Sequence, residues 1–187
     1  YDIYFQQYTF SGGALVPVGT NRQLQVSPGF QEYDQIHPDI TVDEDGNFYL
    51  AWEDKRNANS DIFATVGTVD GGIINWSTDT KISDDPGISN QVNPSINAVK
   101  AVVVVDVIPT GYDPDTGEAT VEVITETKTF IACTWVDYRN GSDDPDIYIN
   151  LSTDNIATFA EDQPVNPAGD GFVQAQPAVD ATQAVKM

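Results

Sequence analysis

The chain repeats itself, and the repeat limits the folds that are open to it. A Trp-x-Asp-x-Arg motif occurs twice, 83 positions apart, as Trp52, Asp54 and Arg56 and again as Trp135, Asp137 and Arg139. An Asp-Ile-aromatic motif follows each copy, at Asp61 to Phe63 and at Asp146 to Tyr148, and it also stands alone at Asp2 to Tyr4. Repeat units of about 40–60 residues with strand-type content are small sheets that cannot bury their faces alone, so they pack against their neighbours.

A Gln-x-x-Pro motif marks the start of each unit, at Gln35 to Pro38, Gln91 to Pro94 and Gln174 to Pro177. With these marks we predict one partial domain over residues 1–187. It consists of a half unit at 1–36, a complete unit at 37–92, a second complete unit at 93–175 and the start of another at 176–187. The second unit is longer because it contains an insertion, which we assign to residues 101–127.

The insertion has the pattern of a long β-hairpin. The β-branched run Val102–Val105 leads into a turn at 111–118 that contains Pro114 and Gly117, and the return segment 120–127 alternates with period two. No segment shows helical periodicity, so the chain is predicted to be all-β. About four strands per unit is the size of a propeller blade. We therefore expect antiparallel four-stranded blades, about three of them.

Propellers usually need four or more blades, so three would leave the ring open. Either the chain is part of a longer polypeptide, which we favour, or other chains complete the ring.

The charge argues against two classes of partner. There are 29 acidic and 8 basic residues, for a formal net charge of −21. Such a polyanion repels nucleic acids and anionic membranes. The longest apolar run, 101–105, is far shorter than the ~18 residues of a membrane span. Cys133, the single cysteine, lies in an apolar run and is predicted to be a buried thiol.

Two segments resemble the Asp-box (BNR repeat) of sialidase-like β-propellers, Ser/Thr-x-Asp-x-Gly-x-Thr-Trp. Residues 68–76 include Asp70 and Trp76, with one extra residue before the tryptophan. Residues 152–159 include Asp154, with Ile156 in place of Gly and Phe159 in place of Trp. The Trp-x-Asp-x-Arg repeat is also similar to repeats of secreted and cell-surface bacterial propellers, which implies an extracellular or cell-surface location.

In that family the Asp-box is a structural hairpin remote from the active site. We expect Asp70 or Asp154 to cap its own turn, and Trp76 or Phe159 to pack between blades. Arginine at the same place in two units is likewise expected to stabilise the blade. Arg56 would pair with Asp54 or Asp61, and Arg139 with Asp137 or Asp146.

A sialidase-type site would need three arginines around a carboxylate, together with an acid and a nucleophile. The chain has only Arg22, Arg56 and Arg139, and two of these share one repeat position. No catalytic residue is therefore assigned. His37, the only histidine, stands where the other units have Asn93 and Gln176, so we expect it to make a structural hydrogen bond.

Calcium is the one cofactor that the sequence points to. Two acidic turns place oxygens at alternating positions, as hard cations prefer: Asp43 and Asp45 in the first, and Asp113, Asp115 and Glu118 in the second. The loop at 140–146 is a further acidic candidate. Asp-Gly and Asp-Pro are also ordinary hairpin residues, so calcium sites and ordinary turns both stay open as interpretations.

The sequence favours a non-catalytic extracellular propeller module with a structural, adhesive or assembly role. Its partners would be other protein subunits or the rest of a longer chain, and hairpin 101–127 is the contact candidate because protruding strands offer edges for strand addition. One alternative is a part of a sialidase-like glycoside hydrolase. Another is a glycan-binding propeller that uses exposed aromatic residues, for which the candidates are Tyr8, Tyr33, Tyr112 and Tyr138.

Overall fold

A computed structural model describes residues 1–24, 27–28, 32–165 and 173–180, which form strands and turns and no helix. The prediction of an all-β chain is confirmed. There is accordingly no helix in these ranges that could cross a membrane. The strands are β1 (Tyr4–Ser11), β2 (Ala14–Gln23), β3 (Gln35–Val42), β4 (Phe48–Asp54), β5 (Asp61–Asp70), β6 (Ile73–Trp76), β7 (Thr80–Lys81), β8 (Gln91–Tyr112), β9 (Ala119–Asp137), β10 (Asp146–Ser152) and β11 (Gln163–Pro164).

The strands form three antiparallel sheets, which we name by their order in the chain. The N-terminal sheet is the pair β1-β2, the middle sheet has the order β3-β4-β5-β6, and the C-terminal sheet has the order β11-β10-β9-β8. The middle sheet has five strands because β7 also pairs with β5, with Ala64 opposite Thr80. The uniform four-stranded blades of the prediction are therefore not found. Within the described ranges the sheets close into no ring or barrel.

Residues 173–180 carry no strand, and the rest of the predicted fourth unit, 181–187, lies outside the described residues.

The central strands are buried on both faces, which is why their sequences are apolar runs. In β4, Tyr49 and Ala51 face the C-terminal sheet while Leu50 and Trp52 face the N-terminal sheet. Alternation of side chains along a strand puts successive residues on opposite faces. In β9, Cys133 is fully buried among the residues between the middle and C-terminal sheets, as predicted. Two apolar layers therefore hold the three sheets together.

The units meet through hydrogen bonds that repeat from one unit to the next. At each junction the Gln of Gln-x-x-Pro donates its backbone N–H to the residue before the Asp-Ile-aromatic motif: Gln35 to Tyr1 at 2.9 Å, Gln91 to Ser60 at 2.7 Å and Gln174 to Pro145 at 3.1 Å. The isoleucine carbonyl of each Asp-Ile-aromatic motif also accepts an N–H at 2.8 Å: Ile3 from Leu24, Ile62 from Ile82 and Ile147 from Val165. The N-terminal sheet thus meets the middle sheet in the same way that the middle sheet meets the C-terminal sheet.

The predicted hairpin is present as a two-stranded ribbon formed by the distal parts of β8 and β9, residues 101–127. The pairing runs from Ala101 opposite Lys128 to Tyr112 opposite Ala119, with irregularities near Val105 and Thr110. Asp113 accepts the backbone N–H groups of Asp115 and Thr116 and so closes the turn. The ribbon extends from a sheet that is otherwise packed against its neighbour.

Candidate functional site

The Trp-x-Asp-x-Arg motif of the middle sheet forms a closed cluster around Asp54. The carboxylate of Asp54 accepts the indole N–H of Trp52 at 2.9 Å and the backbone N–H of Arg56 at 2.9 Å. The Arg56 guanidinium donates to both oxygens of the same carboxylate, at 2.9 and 2.6 Å. It also lies 4.0 Å above the ring centre of Phe63, where a cation–π contact stabilises it.

The C-terminal sheet repeats this cluster with one difference: Arg56 binds Asp54 through both Nε and Nη2, whereas the Arg139 side chain reaches Asp137 through Nη2 alone and its Nε has no hydrogen-bond partner among the described residues. Asp137 accepts the indole N–H of Trp135 at 3.0 Å, the backbone N–H of Arg139 at 2.8 Å and its Nη2 at 2.7 Å. The Arg139 guanidinium lies 4.0 Å from the ring centre of Tyr148. The two-residue spacing brings the three side chains together because Trp and Asp share one face of the strand and the arginine lies two residues beyond the last residue of the strand.

Each arginine has a second carboxylate partner that the sequence analysis missed. Arg56 pairs with Asp79 at 2.5 Å and Arg139 pairs with Asp162 at 2.6 Å. Asp79 and Asp162 are 83 positions apart, the same separation as the motif residues, so extending the repeat alignment would have found them. Burial acts to lower the pKa of the Arg56 guanidinium, but Asp54 and Asp79 outweigh it and the pKa is raised.

The other expected partners of the arginines, Asp61 and Asp146, are buried and accept asparagine amides. Asn57 donates to Asp61 at 2.6 Å, and Asn140 donates to Asp146 at 2.6 Å. Lys81 also pairs with Asp61 at 2.8 Å. The turn between the two motifs is therefore fastened to the start of the following strand.

The three arginines of the chain are held apart in three sheets. Arg22 lies 4.7 Å from the ring centre of Phe5 and donates to the carbonyl of Ile74. Arg56 and Arg139 are enclosed by their clusters. The guanidinium groups do not converge on one open site, so in this arrangement they stabilise sheets.

The two Asp-box segments differ in how they use their aspartates. Asp154 accepts the backbone N–H of Thr158 at 2.9 Å and the hydroxyl of Ser152 at 2.8 Å. The hydrogen bonds from Thr158 lower the pKa of Asp154. Asp70 is exposed at the Gly71-Gly72 turn. Of the two expected caps, Asp154 fits the expectation.

The Asp-box aromatic residues lie between neighbouring sheets. Trp76 packs against the layer between the N-terminal and middle sheets and makes an edge-to-face contact with Phe5 at 5.5 Å. Phe159 packs against the layer between the middle and C-terminal sheets. These positions are those expected of structural residues.

The starts of the three units lie around a shallow, open depression of about 390 Å³, which is lined in each unit by the residue before proline and by the proline itself: His37 and Pro38, Asn93 and Pro94, and Gln176 and Pro177. Those first residues all have positive φ, at 50°, 54° and 60°. Asp39 accepts the N–H of Ile96 at 2.8 Å, and Ser95 accepts that of Val179 at 3.3 Å.

His37 makes the structural hydrogen bond that was expected, to the buried Glu53 at 2.9 Å. The left-handed backbone at this position was not predicted. The sequence did contain a sign of this backbone conformation. The residue before proline is His, Asn and Gln in the three units, and non-glycine residues with positive φ are enriched in Asn and His.

The first calcium candidate is a turn fastened by its own side chains. Asp43 accepts the N–H groups of Asp45 and Asn47, at 3.0 and 2.9 Å, and the hydroxyl of Tyr49 at 3.0 Å. Burial acts to raise the pKa of Asp43, but these hydrogen bonds outweigh it and the pKa is lowered. Asp45 forms an ion pair with Lys100.

In the second turn, Asp113 uses one carboxylate oxygen for two backbone N–H groups, while Asp115 and Glu118 are exposed. In the ranges that the structure describes, no group of three or more His, Cys, Asp or Glu side chains is placed to hold a metal ion. Calcium binding remains a prediction, and the geometry gives it no further support.

The ribbon has one face without charges, and this face is exposed. Because β9 alternates regularly, Val121, Val123, Thr125 and Thr127 share it, opposite Pro109, Val107, Val104 and Val102. Val104 and Val107 are 60% and 50% exposed. The opposite face carries Asp106, Ile108, Glu122, Ile124 and Glu126. An uncharged valine and threonine surface is unusual on a chain with a net charge of −21.

The tyrosines considered for sugar binding are spread over several elements. Tyr8 lies on β1, Tyr33 precedes β3 and Tyr112 ends β8, and all three are exposed, while Tyr138 is half-buried. They do not come from one surface element.

Comparisons with protein-family models, with curated proteins and with solved structures found no match for this chain.

Proposed function

We propose that this chain is a non-catalytic β-propeller module, secreted or displayed at the cell surface, that assembles with other protein subunits, further copies of itself among them, through the uncharged face of its ribbon. The observation that carries the proposal is that face, residues 102, 104, 107, 121 and 123, whose valines are each about half exposed. Contiguous apolar surface exposed on a soluble domain marks interaction sites.

The contacts of the charged repeat residues support a structural role for the sheets outside the ribbon. Asp54 pairs with Arg56 and Asp137 pairs with Arg139 inside the sheets, where these charges hold the motif together. The blade interpretation is supported by the inter-unit hydrogen bonds, which repeat at three junctions. Ring closure would require sheets beyond those described.

The experiment uses neighbouring residues that face opposite sides of the ribbon. Val107→Asp places a charge on the uncharged face, and Ile108→Asp places the same charge on the face that already carries acids; the two side chains are 50% and 42% exposed. Light scattering over a concentration series should show self-association of the wild-type chain, its loss in Val107→Asp and its retention in Ile108→Asp.

Deletion of 101–127 should also abolish association while the circular dichroism of the remaining sheets is retained. A wild-type chain that stays monomeric at high concentration, or two aspartate variants that behave alike, would contradict the proposal.

A further inference from the structure

In the ranges that the structure describes, β1 of the N-terminal sheet is paired on one edge, whereas its equivalents in the other two sheets, β5 and β10, are paired on both. β5 and β10 begin with Asp-Ile-aromatic and each pairs with a Trp-x-Asp strand, β4 or β9. The register is the same in both, with the aromatic residue opposite Trp (Phe63 and Trp52, Tyr148 and Trp135) and the first Asp opposite the Asp of Trp-x-Asp. β1 follows the same motif at Asp2-Ile3-Tyr4, but within the described ranges it pairs only with β2.

The exposed fractions of the side chains in the three Asp-Ile-aromatic motifs differ as expected if β1 lacks a neighbouring strand. Ile3 is 6% exposed, since it packs against the middle sheet as Ile62 packs against the C-terminal sheet. Tyr4, however, is 57% exposed, whereas Phe63 is 7% and Tyr148 is 6% exposed. The rings of Phe63 and Tyr148 are covered by the arginine that follows the Trp-x-Asp strand, and each also packs in the apolar layer shared with the preceding sheet. Tyr4 has the position of these rings without the cover.

The backbone of β1 is also oriented to receive a strand. Leu24 donates its N–H to the carbonyl of Ile3, so the polar groups of Ile3 face β2. Backbone groups alternate in direction along a strand, so the N–H and C=O of Tyr4 face the other edge. In β5 the equivalent residue, Phe63, pairs with Trp52 of β4. An open edge of this kind is a template for a further strand.

A groove lies beside this edge. It has a volume of about 390 Å³ and is lined by residues 1–4 of the N-terminal sheet, residues 35–38 of the middle sheet and Lys55. It is continuous with the contact between these two sheets, because the hydrogen bond from Gln35 to Tyr1 forms part of its wall.

We infer that the open edge of β1 and this groove bind an extended segment of sequence aromatic-x-x-x-Trp-x-Asp-x-Arg, antiparallel to β1. Its Trp lies opposite Tyr4 and its Asp lies opposite Asp2. Its Arg covers the Tyr4 ring and brings a positive charge to a strongly negative chain. The binding mode is strand addition, in which backbone hydrogen bonds give affinity and the alternate side chains give specificity.

The segment has to come from outside these 187 residues. The tryptophans of the chain are Trp52, Trp76 and Trp135. β4 and β9, which contain two of them, are each paired on both edges, so a second folded copy cannot donate either strand. Trp76 is not followed by an Asp two residues later. The occupant that we assign to the site is a segment with this pattern from another protein subunit. The inference rests on the proposed blade arrangement and names a partner for it, at a surface separate from the ribbon.

The test uses a labelled peptide with the sequence of residues 48–56, FYLAWEDKR, and the full 187-residue chain. Fluorescence anisotropy should show saturable binding, and a matched peptide with Ala in place of Trp52 and Asp54 should bind at least tenfold more weakly. Amide hydrogen exchange should show new protection at Tyr4 and an unchanged amide at Phe5, which already faces β2. The variant Tyr4→Pro removes the edge N–H and should lose binding, while Tyr4→Phe should keep it.

Absence of saturable binding overturns the inference, as does equal binding of the two peptides. Exchange changes confined to β4 and β5 would also overturn it, because they would indicate strand exchange in the middle sheet. The same samples measured by light scattering separate this result from the ribbon proposal. Lost peptide binding with intact self-association rejects only the strand site, and the reverse result rejects only the ribbon.

Discussion

The middle and C-terminal sheets contain the same arginine cluster but hold its second carboxylate in different ways. Asp79 of the middle sheet accepts the N–H of Ser27 at 2.8 Å and also its hydroxyl. Asp162 of the C-terminal sheet meets another carboxylate, since Asp84 and Asp162 each accept the backbone N–H of the other, at 3.0 and 2.9 Å. One cluster therefore contains two carboxylates and the other contains three.

This difference sets the charge that each cluster favours. Burial acts to raise the pKa of Asp79, but Ser27 and Arg56 outweigh it and the pKa is lowered. Burial, and then the neighbouring Asp84, raise the pKa of Asp162 to about 6. The repeat thus reproduces the position of the arginine without reproducing its electrostatics. A buried charge is favoured where donors surround it and disfavoured where a like charge faces it.

The largest effect is expected from removing the central carboxylate. Asp54→Asn should cost about 3 kcal/mol of the free energy of unfolding, because it leaves a buried guanidinium with one carboxylate. Asp137→Asn should cost about 1 kcal/mol less, since Arg139 is more exposed (20% against 4%) and keeps Asp162 and Asp84. Urea unfolding curves with equal slopes measure both. An equal or larger loss in Asp137→Asn would show that the third carboxylate gives no support.

The second carboxylates should respond with different magnitudes. Asp79→Asn should cost about 1–2 kcal/mol at pH 7, because the environment of Asp79 favours the charged form. Asp162→Asn should change stability by no more than about 0.5 kcal/mol at the same pH, because a neutral amide relieves the repulsion from Asp84. Urea midpoints of the two variants, measured at pH 7, check this. Equal losses would mean that the carboxylates are electrostatically equivalent.

A pH titration should show the same contrast. The folded-state pKa of Asp162 is above its ordinary value of 3.8, so its contribution is fully present below about pH 4 and is lost as pH rises through about 6. Between pH 7 and pH 5 the chain should gain on the order of 1 kcal/mol, after discounting for solvent screening. Asp162→Asn is the control, because general charge repulsion also relaxes on acidification. A gain that survives in this variant would assign the effect to the net charge.

The sequence predicted the features that depend on short segments. Alternating β-branched residues predicted the ribbon, and the spacing of Trp and Asp predicted a shared face. Gln-x-x-Pro located the three junctions. Of the two partners expected for each arginine, Asp54 and Asp137 are found in the ion pairs. These features follow from the direction of side chains along a strand, which the sequence states directly.

The features that the sequence did not predict depend on contacts that form where the chain folds back onto an earlier strand. Asp79 and Asp162 lie outside every motif, and each reaches its arginine only because the chain folds back after the Asp-box segment. The fifth strand of the middle sheet arises in the same way, when Thr80 and Lys81 return to β5. Such contacts join residues that are distant in sequence, so local propensity and periodicity do not contain them.

The smallest effect is expected at the two Asp-box turns, where the sheets again differ. Asp154→Ala should lower the thermal midpoint, because the carboxylate accepts the N–H and hydroxyl of Thr158 and the hydroxyl of Ser152. Asp70→Ala should leave the midpoint unchanged, since the Gly71-Gly72 turn already has both residues at positive φ, 56° and 80°, and needs no cap to hold it. Calorimetry on both variants measures the difference. A matching fall in Asp70→Ala would mean that both turns depend on their aspartates, and the extra residue before Trp76 would then have no consequence for capping.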